Sequence, residues 1–232
     1  MLLAHAVRAA RGLRVKRKSD GTMSANKATS VVIADLGLGN LRSVARAVER
    51  AGGSATLSND PDALRKAPKV IVPGQGAFRD CALALERGFG SALREVIRAG
   101  TPYLGICLGM QLLFEHSAEA PGMAGLAHFA GTVERFPRHL KDPAGVPLKV
   151  PHMGWNEVSG RHAAFSDNAW FYFTHSYYCV PKDPSLVVGR ASYDLDFCAA
   201  VARDNVFACQ FHPEKSQAEG HQLLLRFVQG GF

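Results

Sequence analysis

The stretch Tyr103-Leu104-Gly105-Ile106-Cys107-Leu108-Gly109-Met110 decides the fold. A β-strand predicted over residues 101–106 runs into a Gly-x-Cys-x-Gly turn, and a helix is predicted to begin near Leu108. A reactive side chain on such a turn forms a nucleophile elbow, and the adjacent helix N-terminus stabilises negative charge on it. A free cysteine is more often a buried packing residue. The rest of the sequence decides between these two interpretations.

Strands and helices alternate throughout the first half of the chain. Short apolar strands are predicted over residues 30–35, 55–57 and 69–72, and helices over residues 41–51 and 78–98. This alternation predicts an α/β fold, a doubly wound and mostly parallel sheet flanked by helices. Active sites of such sheets lie at the carboxyl ends of the strands, where Cys107 falls.

The second half is strand-rich and is punctuated by Pro and Gly. Its predicted strands extend or flank the main sheet in antiparallel fashion and cover residues 132–136, 148–150, 170–174, 177–180, 186–192, 197–201 and 206–210. A final helix is predicted to begin at Ser216, with Ser216 and Glu219 forming a capping box. With no internal repeat or linker, residues 30–232 are interpreted as one domain.

A glycine-rich turn follows the first predicted strand. Gly37 and Gly39 form a Gly-x-Gly pair, which invites a nucleotide-binding interpretation. The third glycine and the downstream acidic residue of that motif are missing. A tight turn at the edge of the active site is therefore the favoured interpretation.

The net charge of +7 is concentrated at the N-terminus. Residues 1–29 hold seven basic residues and one acidic residue, whereas residues 30–232 hold 20 basic and 19 acidic residues. The predicted domain is nearly neutral, which argues against nucleic acid as a partner. The basic segment is interpreted as disordered or as the product of an upstream translation start, with Met23 as a later start, and a transit peptide is the third alternative.

Cysteine usage and hydropathy bear on where the protein works. The five cysteines form no Cys-x-x-Cys pair, so neither a disulfide framework nor a metal site is predicted, and no cofactor is expected. No apolar run approaches the roughly 20 residues that span a membrane. A soluble, cytoplasmic protein is expected.

A thiol nucleophile needs a base and a group that orients the base. Phe211-His212-Pro213-Glu214 supplies both directly after a predicted apolar strand. His212 and Glu214 are separated by one residue and can point the same way, while Pro213 restricts the backbone between them. Cys107, His212 and Glu214 are therefore the predicted catalytic residues.

These motifs resemble those of the class I (triad) glutamine amidotransferases. The resemblance is carried by Pro73-Gly74-Gln75-Gly76, by the elbow with Gln111, and by His212-Pro213-Glu214, and it covers nearly all of residues 30–232. Three further segments resemble the glutaminase subunits of imidazole glycerol phosphate synthases. They are residues 37–43, Pro151-His152-Met153-Gly154-Trp155-Asn156, and residues 172–177 together with residues 211–216.

The resemblance implies roles for individual residues. Cys107, His212 and Glu214 would hydrolyse glutamine to glutamate and ammonia. The remaining implied roles are an oxyanion hole at Gly74, Gln75 and Leu108, glutamine binding by Gln111, Glu119, His175, Ser176 and Tyr177, and a partner interface at Met153, Trp155, Asn156, Tyr172 and Lys215. Gln75 departs from the family, which usually has an aliphatic residue there. Its backbone N–H is still expected to serve.

The resemblance also implies a partner. That partner would be a cyclase with a (β/α)₈ barrel, which forms a heterodimer with this chain and receives the ammonia. The products would be imidazole glycerol phosphate, for histidine biosynthesis, and an aminoimidazole carboxamide ribonucleotide. The motifs disfavour three other hypotheses: an amidotransferase serving another synthase, a cysteine hydrolase that acts alone, and an inactive scaffold subunit.

Overall fold

A computed structural model describes residues 28–37, 39–230 and 232 of the chain. Residues 1–27, which hold most of the predicted basic extension, lie outside the described residues. The strands are β1 (Thr29–Ala34), β2 (Gly53–Ser58), β3 (Val70–Gly74), β4 (Tyr103–Cys107), β5 (His116–Ser117), β6 (Gly131–Arg135), β7 (His152–Val158), β8 (Ala169–His175), β9 (Tyr177–Pro181), β10 (Val187–Tyr193), β11 (Leu195–Arg203) and β12 (Val206–Cys209). The α-helices are α1 (Leu41–Arg50), α2 (Pro61–Arg65), α3 (Phe78–Ala84), α4 (Gly90–Arg98), α5 (Leu108–Gln111) and α6 (Gln217–Gln229).

The main sheet joins a parallel half to a half that is antiparallel except for the short outer pair of β5 and β6. Its strand order is β2-β1-β3-β4-β12-β11-β9-β6-β5, and β10 pairs with β11. The first five strands run parallel, and β12 turns the sheet to antiparallel pairing with β11. Strands β7 and β8 form a separate antiparallel pair. The predicted mostly parallel sheet with added antiparallel strands is confirmed.

Alternate residues of the parallel strands face two different cores. Val70 and Val72 of β3 pack into the core that contains α3 and α4, whereas Ile71 packs into the core that contains α1 and α6. All five residues of β3, and all five of β4, are buried. Burial on both faces explains why these strands read as continuous apolar runs, and each large apolar side chain contributes roughly 1.5–3 kcal/mol.

The long helix predicted over residues 78–98 is interrupted. Helices α3 and α4 are separated by a π-helical turn over Leu85–Phe89, in which Gly88 has a φ of 103°. The hydroxyl of Ser91 donates a hydrogen bond to the Gly88 carbonyl at 2.9 Å. A glycine adopts this left-handed conformation without a Cβ clash, and the helix breaks there.

The capping box predicted at the last helix is wrong. Ser216 does precede α6, but its hydroxyl donates to the carbonyl of His212 at 2.6 Å and accepts the N–H of Tyr172 at 2.9 Å. The hydroxyl thereby ties the segment after His212 to β8 and makes no capping bond. The sequence pattern fails because a tertiary partner outcompetes the local one.

The strand predicted over residues 148–150 is also wrong, and β7 lies just beyond it. In β7 the polar residues His152 and Asn156 face inward, whereas Met153 and Trp155 are exposed. Because the usual apolar-in, polar-out alternation is reversed, hydropathy gives no strand signal. In the part of the chain that the structure describes, no helix is long and apolar enough to cross a membrane.

Candidate active site

The predicted elbow is present at the end of β4. Cys107 has φ 54° and ψ −106°, and residues other than glycine rarely adopt a positive φ. Helix α5 begins at the next residue. Such backbone strain costs on the order of 1–3 kcal/mol and persists only where surrounding packing enforces it. The Cys107 side chain is consequently aimed out of the strand-to-helix turn.

Two glycines allow the backbones to crowd around Cys107. A Cβ at Gly109 would lie 1.7 Å from the carbonyl oxygen of Val72, and one at Gly105 would lie 2.7 Å from the carbonyl oxygen of Gly109. Both neighbours are backbone atoms, which cannot rotate away. The elbow therefore requires glycine at these positions, as the sequence motif predicts.

Gly109→Ala is expected to lower the free energy of unfolding by roughly 3 kcal/mol, because the new methyl group overlaps the β3 backbone. Gly122→Ala is a matched control. Its φ is positive, at 86°, unlike that of Gly109, and an added Cβ meets nothing within 4 Å, so a loss of only about 1 kcal/mol from backbone strain is expected. Urea unfolding of both variants measures the difference, and equal losses would contradict the argument.

His212 and Glu214 form a buried pair beside the elbow. His212 Nδ1 lies 2.8 Å from Glu214 Oε1, and the two side chains are 1% and 2% exposed. Nδ1 carries the proton donated to the carboxylate, which leaves Nε2 for proton transfer. Within the described residues, Nε2 has no hydrogen-bond partner.

The charge state of His212 reflects opposing effects. Burial lowers its pKa, but negative charge on Cys107 and the carboxylate of Glu214 outweigh burial and raise the pKa well above its ordinary value. Because His212 Nε2 has no hydrogen-bond partner among the described residues, Cys107 acts on His212 as a nearby charge. The site is therefore suited to a thiolate–imidazolium pair.

The predicted oxyanion residues surround the elbow. Gly74 is the register partner of Cys107 in the β3–β4 ladder, and Leu108 is the first residue of α5. A Cβ at Gly74 would lie 2.3 Å from the Leu108 Cβ. Backbone N–H groups at a helix start are available to bind an anion. Gln75 follows Gly74 and lines the adjoining cavity.

A cavity of about 400 Å³ opens over Cys107. It is lined by Gln75, Leu108 and all of the predicted glutamine-binding residues, namely Gln111, Glu119, His175, Ser176 and Tyr177. Gln111 is only 2% exposed, so it does not lie on a solvated helix face. Glu119 is positioned by the N–H of Phe78, which donates to its carboxylate at 3.0 Å.

Comparisons with known proteins agree with this geometry. Residues 32–229 match the family "Glutamine amidotransferase class-I". The chain belongs to this family. This amidotransferase is 48% identical to imidazole glycerol phosphate synthase subunit HisH of Geobacter metallireducens, over 86% of the chain and 97% of that protein. It is 47% identical to the HisH subunit of Methylococcus capsulatus, over 87% and 96%. It belongs with the HisH subunits.

The fold of the amidotransferase is also found among solved structures. A crystal structure of a glutamine amidotransferase superposes with a TM-score of 0.67, covering 86% of this chain and 98% of the other. The two sequences are only 20% identical. The likeness therefore concerns the fold, a central mostly parallel sheet flanked by helices with added antiparallel strands.

Two histidines, His175 and His152, form a hydrogen-bonded chain that ends at Asn156 and leads away from the cavity of the amidotransferase. We call it the histidine chain. His175 Nδ1 donates to the carbonyl of Tyr177 at 2.8 Å, so its Nε2 accepts the Nδ1–H of His152 at 3.0 Å. His152 Nε2 in turn accepts from the Asn156 amide at 3.3 Å. Burial lowers the pKa of His175 to about 3 and that of His152 to about 4. Both imidazoles are neutral at physiological pH.

The predicted interface residues divide between two faces of β7. Trp155 packs edge-on against Tyr172 at 6.2 Å between ring centroids, and Lys215 Nζ lies 5.9 Å from the Tyr172 ring. These three residues, with Met153, form an exposed aromatic face, on which Met153 is 63% and Trp155 43% exposed. Asn156 lies on the opposite face, where its amide also donates to the Ser192 carbonyl at 2.8 Å.

Several residues of the site were missed in the sequence. Pro151 and Thr174 line the cavity, and Gln210 contacts the Cys107 sulfur. The sequence does contain a signal for Gln210. This residue ends a predicted strand two residues before His212, and that position predicts that it lies at the same sheet edge as Cys107. The sequence contains no such signal for His152, because a histidine in a polar segment predicts no particular role.

Proposed function

We propose that the amidotransferase is the glutaminase subunit of imidazole glycerol phosphate synthase. It hydrolyses glutamine through Cys107, His212 and Glu214 and passes ammonia to a cyclase partner in histidine biosynthesis, in the cytoplasm. The observation that carries this proposal is the buried His212–Glu214 pair, whose unpartnered Nε2 stands beside a strained cysteine at the floor of a cavity. Sequence identity to HisH subunits supports the choice of pathway.

The first half of the reaction makes a thioester. The Cys107 sulfur attacks the side-chain carboxamide carbon of glutamine, and a C–S bond forms. As the C–N bond breaks, the proton on His212 Nε2 passes to the leaving nitrogen, which departs as ammonia. Glu214 holds the imidazole in the orientation that this transfer needs.

The second half returns the enzyme to its starting state. Water adds to the thioester and gives a proton to His212, and the C–S bond breaks with its electron pair returning to sulfur. The net change converts glutamine and water into glutamate and ammonia. In both halves the oxyanion is bound by the N–H groups of Leu108 and of the Gly74–Gln75 segment, each worth about 10²–10³ in rate.

Binding of glutamine uses the far wall of the cavity. Glu119 offers a carboxylate to the α-ammonium group of the substrate, which is a charge-assisted pairing. Gln111 supports this with a buried side-chain oxygen that has no partner among the described residues. Ser176 and Tyr177 complete the wall next to His175.

The aromatic face is the surface we assign to the cyclase, a (β/α)₈ barrel that forms a heterodimer with this chain. Exposed Trp and Tyr side chains are frequent anchors of protein interfaces. Lys215 belongs both to this face and to the lining of the catalytic cavity. Ammonia released at Cys107 therefore has a short route to the partner.

Trp155→Ala is expected to raise the dissociation constant for the cyclase about 10- to 100-fold, because an anchoring indole is lost. Leu57→Ala is the control, since Leu57 is 42% exposed on the edge strand β2. Titration calorimetry with the purified cyclase measures both. Equal affinities for the two variants would remove the aromatic face from the interface.

The proposed function is tested by glutamate release. The chain is assayed with glutamine alone, and then with the barrel cyclase and its ribonucleotide. Weak release alone and strong stimulation in the complex are expected. Fast release that ignores the cyclase would retain the triad chemistry but contradict the assigned partner, and no release in either case would overturn the glutaminase.

A further inference from the structure

Gln210 is a buried polar residue that contacts the sulfur of Cys107. Its side chain is fully buried, and Nε2 donates a hydrogen bond to Cys107 Sγ at 3.4 Å. The contact follows from the sheet, because Cys209 of β12 is the register partner of Ile106 in β4. The residues that follow these two in sequence, Gln210 just beyond β12 and Cys107 at the end of β4, therefore lie side by side at the carboxyl edge of the sheet.

The orientation of the Gln210 amide is fixed by a chain of contacts that starts at a backbone carbonyl. The Tyr177 carbonyl can only accept, and it receives Gln111 Nε2 at 3.3 Å. The same nitrogen donates to Gln210 Oε1 at 3.0 Å. With its oxygen thus occupied, Gln210 presents its N–H₂ group to the sulfur. A flipped amide would set nitrogen against nitrogen.

The same contacts orient Gln111. Its nitrogen is held by Tyr177 and Gln210, so its oxygen is the atom left for the cavity, and that oxygen has no partner among the described residues. Gln210 therefore joins the nucleophile to a residue of the substrate wall. His212 is the charged group that faces the same sulfur, and Glu214 stands behind His212.

We propose that Gln210 is a further catalytic residue of the glutaminase, which stabilises the Cys107 thiolate by an N–H···S hydrogen bond and fixes the orientation of Gln111. The proposal rests on the function assigned above. A hydrogen bond to a charged acceptor is worth more than one between neutral groups, and here it forms in a buried site. The thiolate is thereby held by an amide on one side and an imidazolium on the other.

Gln210→Met and Gln210→Glu test this proposal. Methionine keeps the length of the side chain but removes the donor. Glutamate keeps its shape and can still accept from Gln111, but it sets an oxygen against the sulfur. We expect kcat/KM for glutamine to fall about 10- to 100-fold in the complex with Gln210→Met, and further with Gln210→Glu.

The pH dependence of Cys107 alkylation by iodoacetamide, measured on the isolated chain, separates this role from simple packing. The pH at half-maximal rate is expected to rise by about one to two pH units in both variants. The Cys107→Ala variant shows how much of the measured alkylation comes from Cys107. Val206→Ala is the packing control, because Val206 is buried at the other end of β12, opposite Tyr103, and its alkylation profile should match the wild type.

An alkylation profile that stays in place in either folded variant would overturn the proposal, as would a Gln210→Met enzyme with normal kcat/KM. If Gln210→Met does not fold, Gln210→Glu decides, since it preserves volume and the Gln111 contact. Alkylation needs neither glutamine nor the cyclase. A failure of the assigned function would therefore leave this measurement intact, and the two failures are distinguishable.

Discussion

Cys107→Ala is expected to lower glutamine-dependent synthesis by the complex by a factor of about 10⁴ or more, while synthesis from added ammonia continues. The thioester cannot form without the sulfur, and no other described cysteine lies at an elbow. Ammonia supplied from solution bypasses the glutaminase. Parallel assays with glutamine and with ammonium salt, each following product formation by the cyclase, measure the two activities.

Cys198→Ala is the matched control for this prediction. Cys198 is buried in β11, so its substitution removes a cysteine sulfur from the core, away from the proposed catalytic residues. Both of its activities should stay within about threefold of the wild type, since surface and packing changes of this size cost little. Loss of the ammonia-dependent activity in Cys107→Ala would show that Cys107 acts through assembly, against the role assigned here.

Glu214→Gln is expected to lower kcat about 10²- to 10⁴-fold with little change in KM. Glutamine preserves the size of the side chain but removes the charge that orients and stabilises the imidazolium. The pKa of His212 should fall, because one of the charges that raise it is gone. In the proposed mechanism protonated His212 is the proton donor, so the alkaline limb of the kcat profile should move to lower pH.

Glu219→Gln provides the comparison for Glu214→Gln. Glu219 lies in the first turn of α6, five residues further on, and takes no part in the His212 pair. Its kcat and pH profile should remain those of the wild type. An unchanged alkaline limb in Glu214→Gln would mean that Glu214 does not set the charge of His212.

The parallel half of the fold was predictable because its signals are local. Strands β3 and β4 are buried on both faces and read as apolar runs, and glycines mark the turns after them. The antiparallel half was predicted less well. Strand β7 buries polar side chains and exposes Met153 and Trp155. Its hydropathy pattern therefore does not predict a strand, and it is explained only by the contacts of the histidine chain and the aromatic face.

The site was predictable where chemistry demands short motifs. The elbow and the His-Pro-Glu segment are recognisable from their spacing alone, and in the structure the buried His212 lies close to Cys107. Contacts that depend on which strands are neighbours were not predictable. Gln210 meets Cys107 only because β12 inserts next to β4, a pairing between residues more than 100 positions apart that no local pattern records. Ser216 was misread for the same reason.

The histidine chain has a consequence for the nitrogen that leaves glutamine. Ammonia reacts as a nucleophile only while it is unprotonated, and an acidic side chain at the cavity that His175 lines would convert it into inert ammonium. With pKa values of about 3 and 4, His175 and His152 carry no surplus proton at neutral pH. In the proposed reaction, His212 gives up its proton as the C–N bond of glutamine breaks. The cavity wall that is proposed to bind glutamine therefore leaves the released ammonia with its lone pair.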